Sequence, residues 1–365
     1  MQVRVSPTTF NPSLLTLAAA TCLLLAACGG GTADLEPTEQ AQSQVRSSQA
    51  KATNLAAPRA GKRMSPSNPL PPAAANTLEV GVRIPGFPHE VTVYRPAGAT
   101  RAIVFLHGHG GTTWLLAYDL GFNRVMAPQT AKNVNWDWLT RNRVIAVFAQ
   151  GQTLPGTKGA SWNNYVSDSG QDDVGFLTAL STYVRSQYGV TDVSLSGQSA
   201  GGAMTARMWC EATTSYDAYV SLAGPMPSAT YPQPGPPCVP LARAPYYIVV
   251  GGKDSALPRF ARGDVTPTAE QMAVGLTNTI LISEWVRHQG RSKAVCDETP
   301  AMNNESVDPS GPTWNACNAR IRYTIVTDAD HPIASLEQNA HARMIDLIAG
   351  FVSQSEGASD LTSGR

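Results

Sequence analysis

Apolar and polar residues alternate in two short stretches of the chain, residues 78–84 and 90–94. Such alternation is typical of strands that bury one face and leave the other in solvent. A Pro-Gly-Phe-Pro sequence at residues 85–88 separates the two stretches and supplies turn-forming residues. The pattern therefore predicts an antiparallel hairpin at the edge of a sheet.

Further along, the apolar residues come in continuous runs, which are typical of parallel strands buried on both faces. These runs are residues 102–106, 144–148, 193–195, 218–222, 246–250 and 321–326.

Helical periodicity lies between the runs. Residues 173–187 place apolar side chains on one face, with Asp172 or Asp173 as N-cap. The sequence Thr268-Ala-Glu-Gln271 predicts a capping box that opens a helix through Trp285. Residues 336–352 form a terminal amphipathic pattern. Strands that alternate with helices predict an α/β fold with a mostly parallel central sheet and helices on both faces.

The N-terminal segment has the pattern of an export signal. Arg4 precedes an apolar run over residues 14–27, which is too short to span a bilayer comfortably. The run ends in Leu25-Ala-Ala-Cys28, which resembles the lipobox of bacterial lipoproteins. This interpretation predicts a signal peptide over residues 1–27, a lipidated Cys28 and an outer-membrane lipoprotein facing the periplasm or the cell surface. The alternative is an ordinary cleaved signal with an incidental cysteine, and a secreted protein.

The composition of residues 28–76 predicts a flexible tether. They contain no aromatic residue and are rich in alanine, serine, glutamine, proline and glycine. Such a segment buries too little apolar surface to offset its ordering entropy. The expected organisation is this tether, one folded domain over residues 77–356 and a disordered tail over residues 357–365.

Charge and cysteine usage narrow the possible partners. Lysine plus arginine equals aspartate plus glutamate at 27 each, so no nucleic-acid partner is expected. With Cys22 in the signal and Cys28 as the candidate lipid site, four further cysteines remain in a compartment that permits disulfides. Four cysteines can pair in three ways, and we prefer the pairing whose two disulfides each close a local loop. The spacing of these cysteines is not that of a zinc site, so disulfides are preferred to metal binding and no metal is expected. The preferred pairs are Cys210–Cys238 and Cys296–Cys317.

The sequence Gly197-Gln-Ser199-Ala-Gly201 follows a predicted strand and precedes a plausible helix. A G-x-S-x-G motif in that context predicts a sharp turn that exposes a nucleophilic serine. Small residues are needed two positions to either side, and both glycines meet that need. Ala200 then offers its backbone N–H to an oxyanion at a helix N-terminus.

A serine nucleophile needs a base and an orienting acid, in the chain order serine, acid, histidine. His331 follows the predicted strand 321–326 through a short polar turn and is the preferred base. His288 is interpreted as a surface or packing residue of a helix, and His341 as a solvated residue of the terminal helix. Asp254 ends the strand and glycine turn of residues 246–254, which makes it the preferred acid. Rival aspartates are Asp264, Asp297, Asp308, Asp328 and Asp330.

A second oxyanion donor is expected from the glycine-rich loop His107-Gly-His109-Gly-Gly, where the His109 N–H is the candidate. His107 is interpreted as a structural residue beneath this loop. Trp162 is either a wall of the substrate cleft or a core residue. The pair Asp172-Asp173 is expected to be structural.

Together these motifs resemble one esterase family of the α/β-hydrolase superfamily, which includes polyhydroxybutyrate depolymerases and feruloyl and acetylxylan esterases. The resemblance covers about residues 85–350 and implies cleavage of carboxylic esters, often polymeric, without metal or cofactor. The chain departs from it at the catalytic histidine, where Asp328-Ala-Asp-His331-Pro-Ile replaces Gly-Gly-His-x-Trp-Pro. The missing tryptophan changes one wall of the cleft.

The expected function is acyl transfer by a serine esterase on an ester substrate. A hydroxyalkanoate oligo- or polyester is the first expectation, a feruloyl or acetylxylan ester the second, and an amide polymer such as poly(aspartate) the third. The alternative of another class is a catalytically inactive surface binding protein.

Overall fold

The computed structural model describes residues 73–156, 159–164, 169–224, 238, 244–256, 269, 290–302 and 311–359. The described helices are α1 (Thr113–Asp119), α2 (Trp136–Asn142), α3 (Asp173–Tyr188), α4 (Ala200–Glu211), α5 (Ile333–Ala340) and α6 (Met344–Ser359), and residues 290–296 are helical as well. The described strands, in chain order, are β1 (Thr77–Arg83), β2 (Glu90–Arg95), β3 (Arg101–Leu106), β4 (Val144–Ala149), β5 (Gln152–Thr153), β6 (Ala160–Ser161), β7 (Asp192–Gln198), β8 (Tyr219–Leu222), β9 (Tyr246–Gly251), β10 (Ala301–Met302), β11 (Thr313–Ala316) and β12 (Ile321–Val326).

A mostly parallel sheet organises these elements. Its order is β1-β2-β4-β3-β7-β8-β9-β12-β11-β10, and a separate pair joins β5 to β6. The strands from β4 to β12 in this order pair in parallel, whereas β1 and β2 on one side and β11 and β10 on the other pair antiparallel. All eight strands predicted from the hydrophobic pattern are present. The structure adds the short strands β5, β6, β10 and β11, which the pattern did not indicate.

Helices cover both faces of the sheet because its central strands are apolar on both sides. In β3, Val104 belongs to the core beneath α3 and α4, whereas Ile103 and Phe105 belong to the core beneath α1, α2, α5 and α6. This division fits the two-residue period of a strand. Helix α3 begins as predicted, since Asp172 accepts a hydrogen bond from the Gly175 N–H.

The prediction of one terminal helix over residues 336–352 is wrong. The structure has two helices there, because His341 takes a left-handed conformation with φ 51° and ends α5. Contacts beyond the local sequence support the break. Glu337 accepts a hydrogen bond from the Met344 N–H, and the Arg343 guanidinium donates to the carbonyl of Leu120. The capping box at Thr268 and its helix lie outside the described residues.

Two disulfides join Cys210 to Cys238 and Cys296 to Cys317, which is the pairing preferred from sequence. Disulfides are typical of proteins from oxidising compartments such as the periplasm or the cell exterior. Within the described ranges, no helix is long and apolar enough to cross a membrane.

Candidate active site

The turn between β7 and α4 carries Ser199 in a strained conformation, with φ 54° and ψ −118°. Tight packing explains why glycines flank it. A Cβ on Gly197 would lie 2.2 Å from the Gly201 carbonyl oxygen, and one on Gly201 would lie 2.3 Å from the carbonyl oxygen of Leu106. The Ser199 N–H donates to the Leu222 carbonyl at 2.8 Å, which fixes the turn against β8. The sharp turn thus exposes the serine hydroxyl beyond the end of β7.

Ser199, His331 and Asp254 form a continuous hydrogen-bonded chain. His331 Nε2 lies 2.7 Å from Ser199 Oγ, and His331 Nδ1 lies 2.7 Å from Asp254 Oδ2. The Asp254 carboxylate is buried, and its other oxygen accepts the Ala256 N–H at 2.9 Å. An ionised Asp254 makes Nδ1 the protonated nitrogen, so Nε2 is free to accept the serine proton.

Asp330, a rival acid by sequence, contacts the backbone and not the ring. One of its oxygens accepts the N–H groups of Ser255 and His331, each at 2.7 Å. These bonds, the one from Ser255 first, lower the pKa of the Asp330 carboxyl. Asp330 thereby ties the loop after β9 to the loop after β12. Asp328, a second rival, forms an exposed ion pair with Lys253 at 2.7 Å.

The glycine-rich loop after β3 lies directly against the serine turn. A Cβ on Gly108 would lie 3.1 Å from Ser199 Cβ and 2.5 Å from the side-chain oxygen of Gln198, so a larger residue here would crowd the serine turn and displace the Gln198 side chain. The Gly110 N–H is used by the fold, since it donates to the Ala160 carbonyl at 2.7 Å. In the part of the chain that the structure describes, the N–H groups of His109 and Ala200 have no acceptor.

His107 supports this loop from beneath. Its Nδ1–H donates to the Gly108 carbonyl at 2.7 Å, and its Nε2 accepts the Gly151 N–H at 2.9 Å. Burial is the main cause that lowers the pKa of His107 to about 4; the hydrogen bond to Gly108 opposes this shift, and the nearby His109 adds to it. His107 is therefore neutral near pH 7. The sequence interpretation of His107 as structural agrees with this placement.

Trp162 does not line the cleft, which corrects its tentative assignment there. Its side chain is fully buried, and its indole N–H donates to the His107 carbonyl at 2.9 Å. Trp162 is a core residue beneath the glycine-rich loop because its ring packs against His107 and His89. Asp173 pairs with His89 at 2.7 Å in the same buried layer, so this aspartate is structural, as expected.

Ser199 lines a pocket of about 290 Å³. The residues that line it come from the glycine-rich loop, the end of α1, the serine turn and the start of α5. They are Gly108, His109, Asp119, Gln198, Ser199, His331, Pro332, Ile333 and Ala334.

Asp119 is the pocket residue that sequence reasoning missed. It ends α1, a helix of seven residues that is too short to show a clear helical period. The available signal was its position in the segment that follows the glycine-rich loop. Among the other sequence candidates, His341 ends α5 away from the pocket, and His288 lies outside the described residues.

One group of described residues has side chains that could bind a metal ion, but two of them are joined in a disulfide. The ligand atoms of Cys296, Glu298 and Cys317 lie within 4.8 Å of one another, and the two sulfurs are joined in a disulfide.

No protein-family model matches the chain, and no curated protein matches its sequence. Solved structures are similar to it. An acetyl xylan esterase from Aspergillus awamori superposes with a TM-score of 0.50 and 14% identity, over 76% of this chain and 99% of that one. Poly(aspartic acid) hydrolase-1 from Sphingomonas sp. KT-1 gives a TM-score of 0.42 and 16% identity, over 73% of this chain and 97% of that one. The sheet order and the serine turn, with the first of these similarities, show that the chain has the α/β-hydrolase fold.

Proposed function

We propose that this protein is a serine hydrolase that cleaves carboxylic esters through an acyl-enzyme. Ser199 is the nucleophile, His331 the general base and Asp254 the acid that orients the histidine ring. One observation carries the proposal: His331 lies 2.7 Å from both Ser199 Oγ and Asp254 Oδ2, at the floor of an open pocket. A nucleophile, its base and an orienting group at such distances are the geometry of covalent catalysis.

In the proposed reaction, Ser199 Oγ attacks the ester carbonyl carbon while its proton passes to His331 Nε2. The N–H groups of Ala200 and His109 donate to the oxyanion of the tetrahedral intermediate. His331 then gives the proton to the leaving alcohol oxygen as the C–O bond breaks. Water attacks the acyl-serine with the same base, and the carboxylic acid leaves as the proton returns to Ser199.

Backbone strain at Ser199 supports catalysis over a purely structural role. Ser199 has φ 54° and ψ −118°, outside the left-handed helical region that His341 occupies. Such a conformation costs stability in a non-glycine residue, and strained residues concentrate at functional sites. The amides of Ala200 and His109 have no acceptor in the described part of the protein, although they lie beside the hydroxyl. An inactive binding protein would gain nothing from keeping either feature.

The substrate class is a finer part of the proposal. A hydroxyalkanoate oligo- or polyester is the first candidate, on the sequence resemblance. A feruloyl or acetylxylan-type ester is the second, because the esterase from Aspergillus awamori is named for acetyl xylan. An amide polymer is the third candidate, since one of the similar structures is named for poly(aspartic acid).

The test combines covalent labelling with turnover. A fluorophosphonate probe should label the wild-type protein at Ser199 and should not label Ser199→Ala. A panel of 3-hydroxybutyrate oligomers, methyl ferulate, acetylated xylan and p-nitrophenyl esters then ranks the substrates. His331→Ala should be nearly as inactive as Ser199→Ala, and the double variant should lose little more, because members of a triad act as a unit.

His341→Asn is the matched control, since it changes a histidine outside the pocket at a left-handed position that asparagine tolerates. It should keep near-normal turnover and labelling. A folded wild-type protein that neither reacts with the probe nor hydrolyses any ester would favour the inactive binding protein.

A further inference from the structure

Asp119 is the carboxylate that lines the pocket beside Ser199. It is the last residue of α1, and the same pocket is lined by Gly108, His109 and His331. None of the other described lining residues is acidic. A substrate held for attack by Ser199 therefore places part of its acyl or alcohol group near this carboxylate.

Within the described residues, no contact gives a structural reason for an acid at this position. The C-terminus of a helix carries partial negative charge, so a carboxylate in the last turn of α1 is unfavourable. The Asp119 side chain makes no hydrogen bond or ion pair with the described residues. Its neighbour in sequence, Leu120, caps the helix through its own N–H instead.

The charged residues around Asp119 in the described structure include a further carboxylate. Glu337 of α5 interacts electrostatically with both Asp119 and Asp346, and Arg343 is the opposing cation. The Arg343 guanidinium is directed to the Leu120 carbonyl at 3.1 Å and forms no ion pair with Asp119 in the described structure. Asp119 is exposed at the pocket mouth, yet the protein on its other side raises the pKa of its carboxyl by desolvation.

We infer that Asp119 determines substrate specificity, favouring esters that carry a cation or a hydroxyl group near the scissile bond and rejecting those that carry a carboxylate there. This inference rests on the proposed function, because it concerns the pocket of Ser199. A partly desolvated carboxylate that has no partner among the described residues gains from a hydrogen-bond donor or a positive charge, and it repels a second anion. Hydroxyl-rich esters are thereby preferred to poly(aspartate) and to the acidic end of a hydroxyalkanoate chain.

Two matched series of esters test this. In the first, the alcohol chain of an acetate ester ends in methyl, hydroxyl, trimethylammonium or carboxylate. In the second, the acyl chain of a methyl ester ends in the same four groups. In at least one series, kcat/KM for the wild type should rank trimethylammonium and hydroxyl above methyl, and methyl above carboxylate. Added salt should weaken the ammonium-to-carboxylate preference, because it screens exposed charges.

Asp119→Asn should lower the ammonium-to-carboxylate ratio of kcat/KM by about tenfold, which corresponds to ~1.4 kcal/mol. Asp137→Asn is the matched control, since it removes an exposed carboxylate of α2 outside the pocket, and its ratio should stay at the wild-type value. Fluorophosphonate labelling and p-nitrophenyl acetate turnover of both variants report whether Ser199 still reacts.

The outcomes separate the two proposals. Turnover without any preference between charged groups in either series, or a preference that survives Asp119→Asn, overturns the role of Asp119 while the esterase proposal stands. Loss of probe labelling and of all turnover in the folded wild type overturns the proposed function and this inference with it.

Discussion

The His331 side chain and backbone are held by two different carboxylates. Asp254 accepts from the ring nitrogen Nδ1, whereas Asp330 accepts from the His331 backbone N–H and from Ser255. Asp254 therefore determines the tautomer of the ring, and Asp330 determines where the loop lies. Sequence proximity alone made Asp330 a rival acid, and only the fold separates the two contacts.

We expect Asp254→Asn to lower kcat/KM by about 10³–10⁴-fold, as in serine triads where the amide stabilises the wrong tautomer. The loss should be smaller than in Ser199→Ala. Asp330→Asn should cost less than about tenfold, because an amide oxygen still accepts an N–H bond. Steady-state kinetics on one p-nitrophenyl ester would compare the variants. Full turnover of Asp254→Asn together with loss in Asp330→Asn would reverse the two roles.

A second prediction concerns His107 and acid stability. The pKa of His107 is lowered to about 4, whereas an unfolded histidine titrates near 6.5. The unfolded chain therefore binds more protons between these values, and stability is lost as pH falls from about 6.5 to about 4. The linked loss amounts to about 3 kcal/mol. Urea unfolding at several pH values would measure it.

His107→Asn is the comparison for that measurement. It keeps a short amide near the Gly108 carbonyl but has no group that titrates in this range. The variant should be less stable than the wild type at pH 7 and should lose less stability on acidification. Equal pH dependence in both proteins would assign the acid loss to other groups.

At the scale of elements, strands were more predictable than helices. Continuous apolar runs identify β3, β4, β7, β8, β9 and β12 because both faces of these strands are buried. The terminal helix was mispredicted because its break at His341 is stabilised by contacts of Arg343 and Glu337, which local periodicity does not encode.

The hydrophobic pattern also could not predict the short edge strands or the burial of Trp162. Strands β10 and β11 have two and four residues, too few to show alternation. Trp162 follows the two-residue strand β6 and is placed by long-range contacts with His89 and His107. Core and cleft positions for this residue were therefore indistinguishable from sequence.

The Cys296–Cys317 disulfide yields the prediction at this scale. It joins the helical residues 290–296 to the turn before β12, the strand that leads to His331. Cys296→Ser/Cys317→Ser should lower the free energy of unfolding by about 3 kcal/mol, because the bridge closes a 21-residue separation. Urea unfolding would measure this loss.

Peptide mapping of the non-reduced protein checks the pairing independently. Peptides that link Cys210 to Cys296 or Cys238 to Cys317 would contradict it. Cys210→Ser/Cys238→Ser is the companion variant, since it opens a separation of 28 residues away from β12. This variant should lose a comparable free energy of unfolding. It should disturb the His331 loop less, because the Cys210–Cys238 disulfide is not attached to the turn before β12.

For the whole molecule, the parallel sheet explains why three distant residues meet. Ser199 follows β7, Asp254 follows β9 and His331 follows β12, and parallel strands present their carboxyl ends at one edge. The order of motifs was therefore enough to propose this group from sequence. The carboxylate of Asp119 reaches the same edge from a helix, a route that motif order does not reveal.

The last prediction concerns attachment to the membrane. Cys28 lies outside the described residues, so its lipidation stays a prediction from the sequence Leu25-Ala-Ala-Cys28. A single acyl chain binds a protein to membranes only marginally, whereas two chains anchor it stably. A lipobox cysteine that carries at least two acyl chains should therefore keep the protein on membranes in high salt. Detergent should release it.

Cys28→Ser should yield either a soluble protein or an unprocessed precursor, because the lipid is the one membrane-binding element that the sequence indicates. Cys22→Ser is the matched control, since it changes a cysteine inside the predicted signal and should leave the mature protein anchored. Membrane fractionation, metabolic labelling with a fatty acid and mass analysis of the N-terminus would distinguish these results. A soluble wild-type protein that begins at a residue other than Cys28 would favour the alternative, a secreted protein whose signal is cut by an ordinary peptidase.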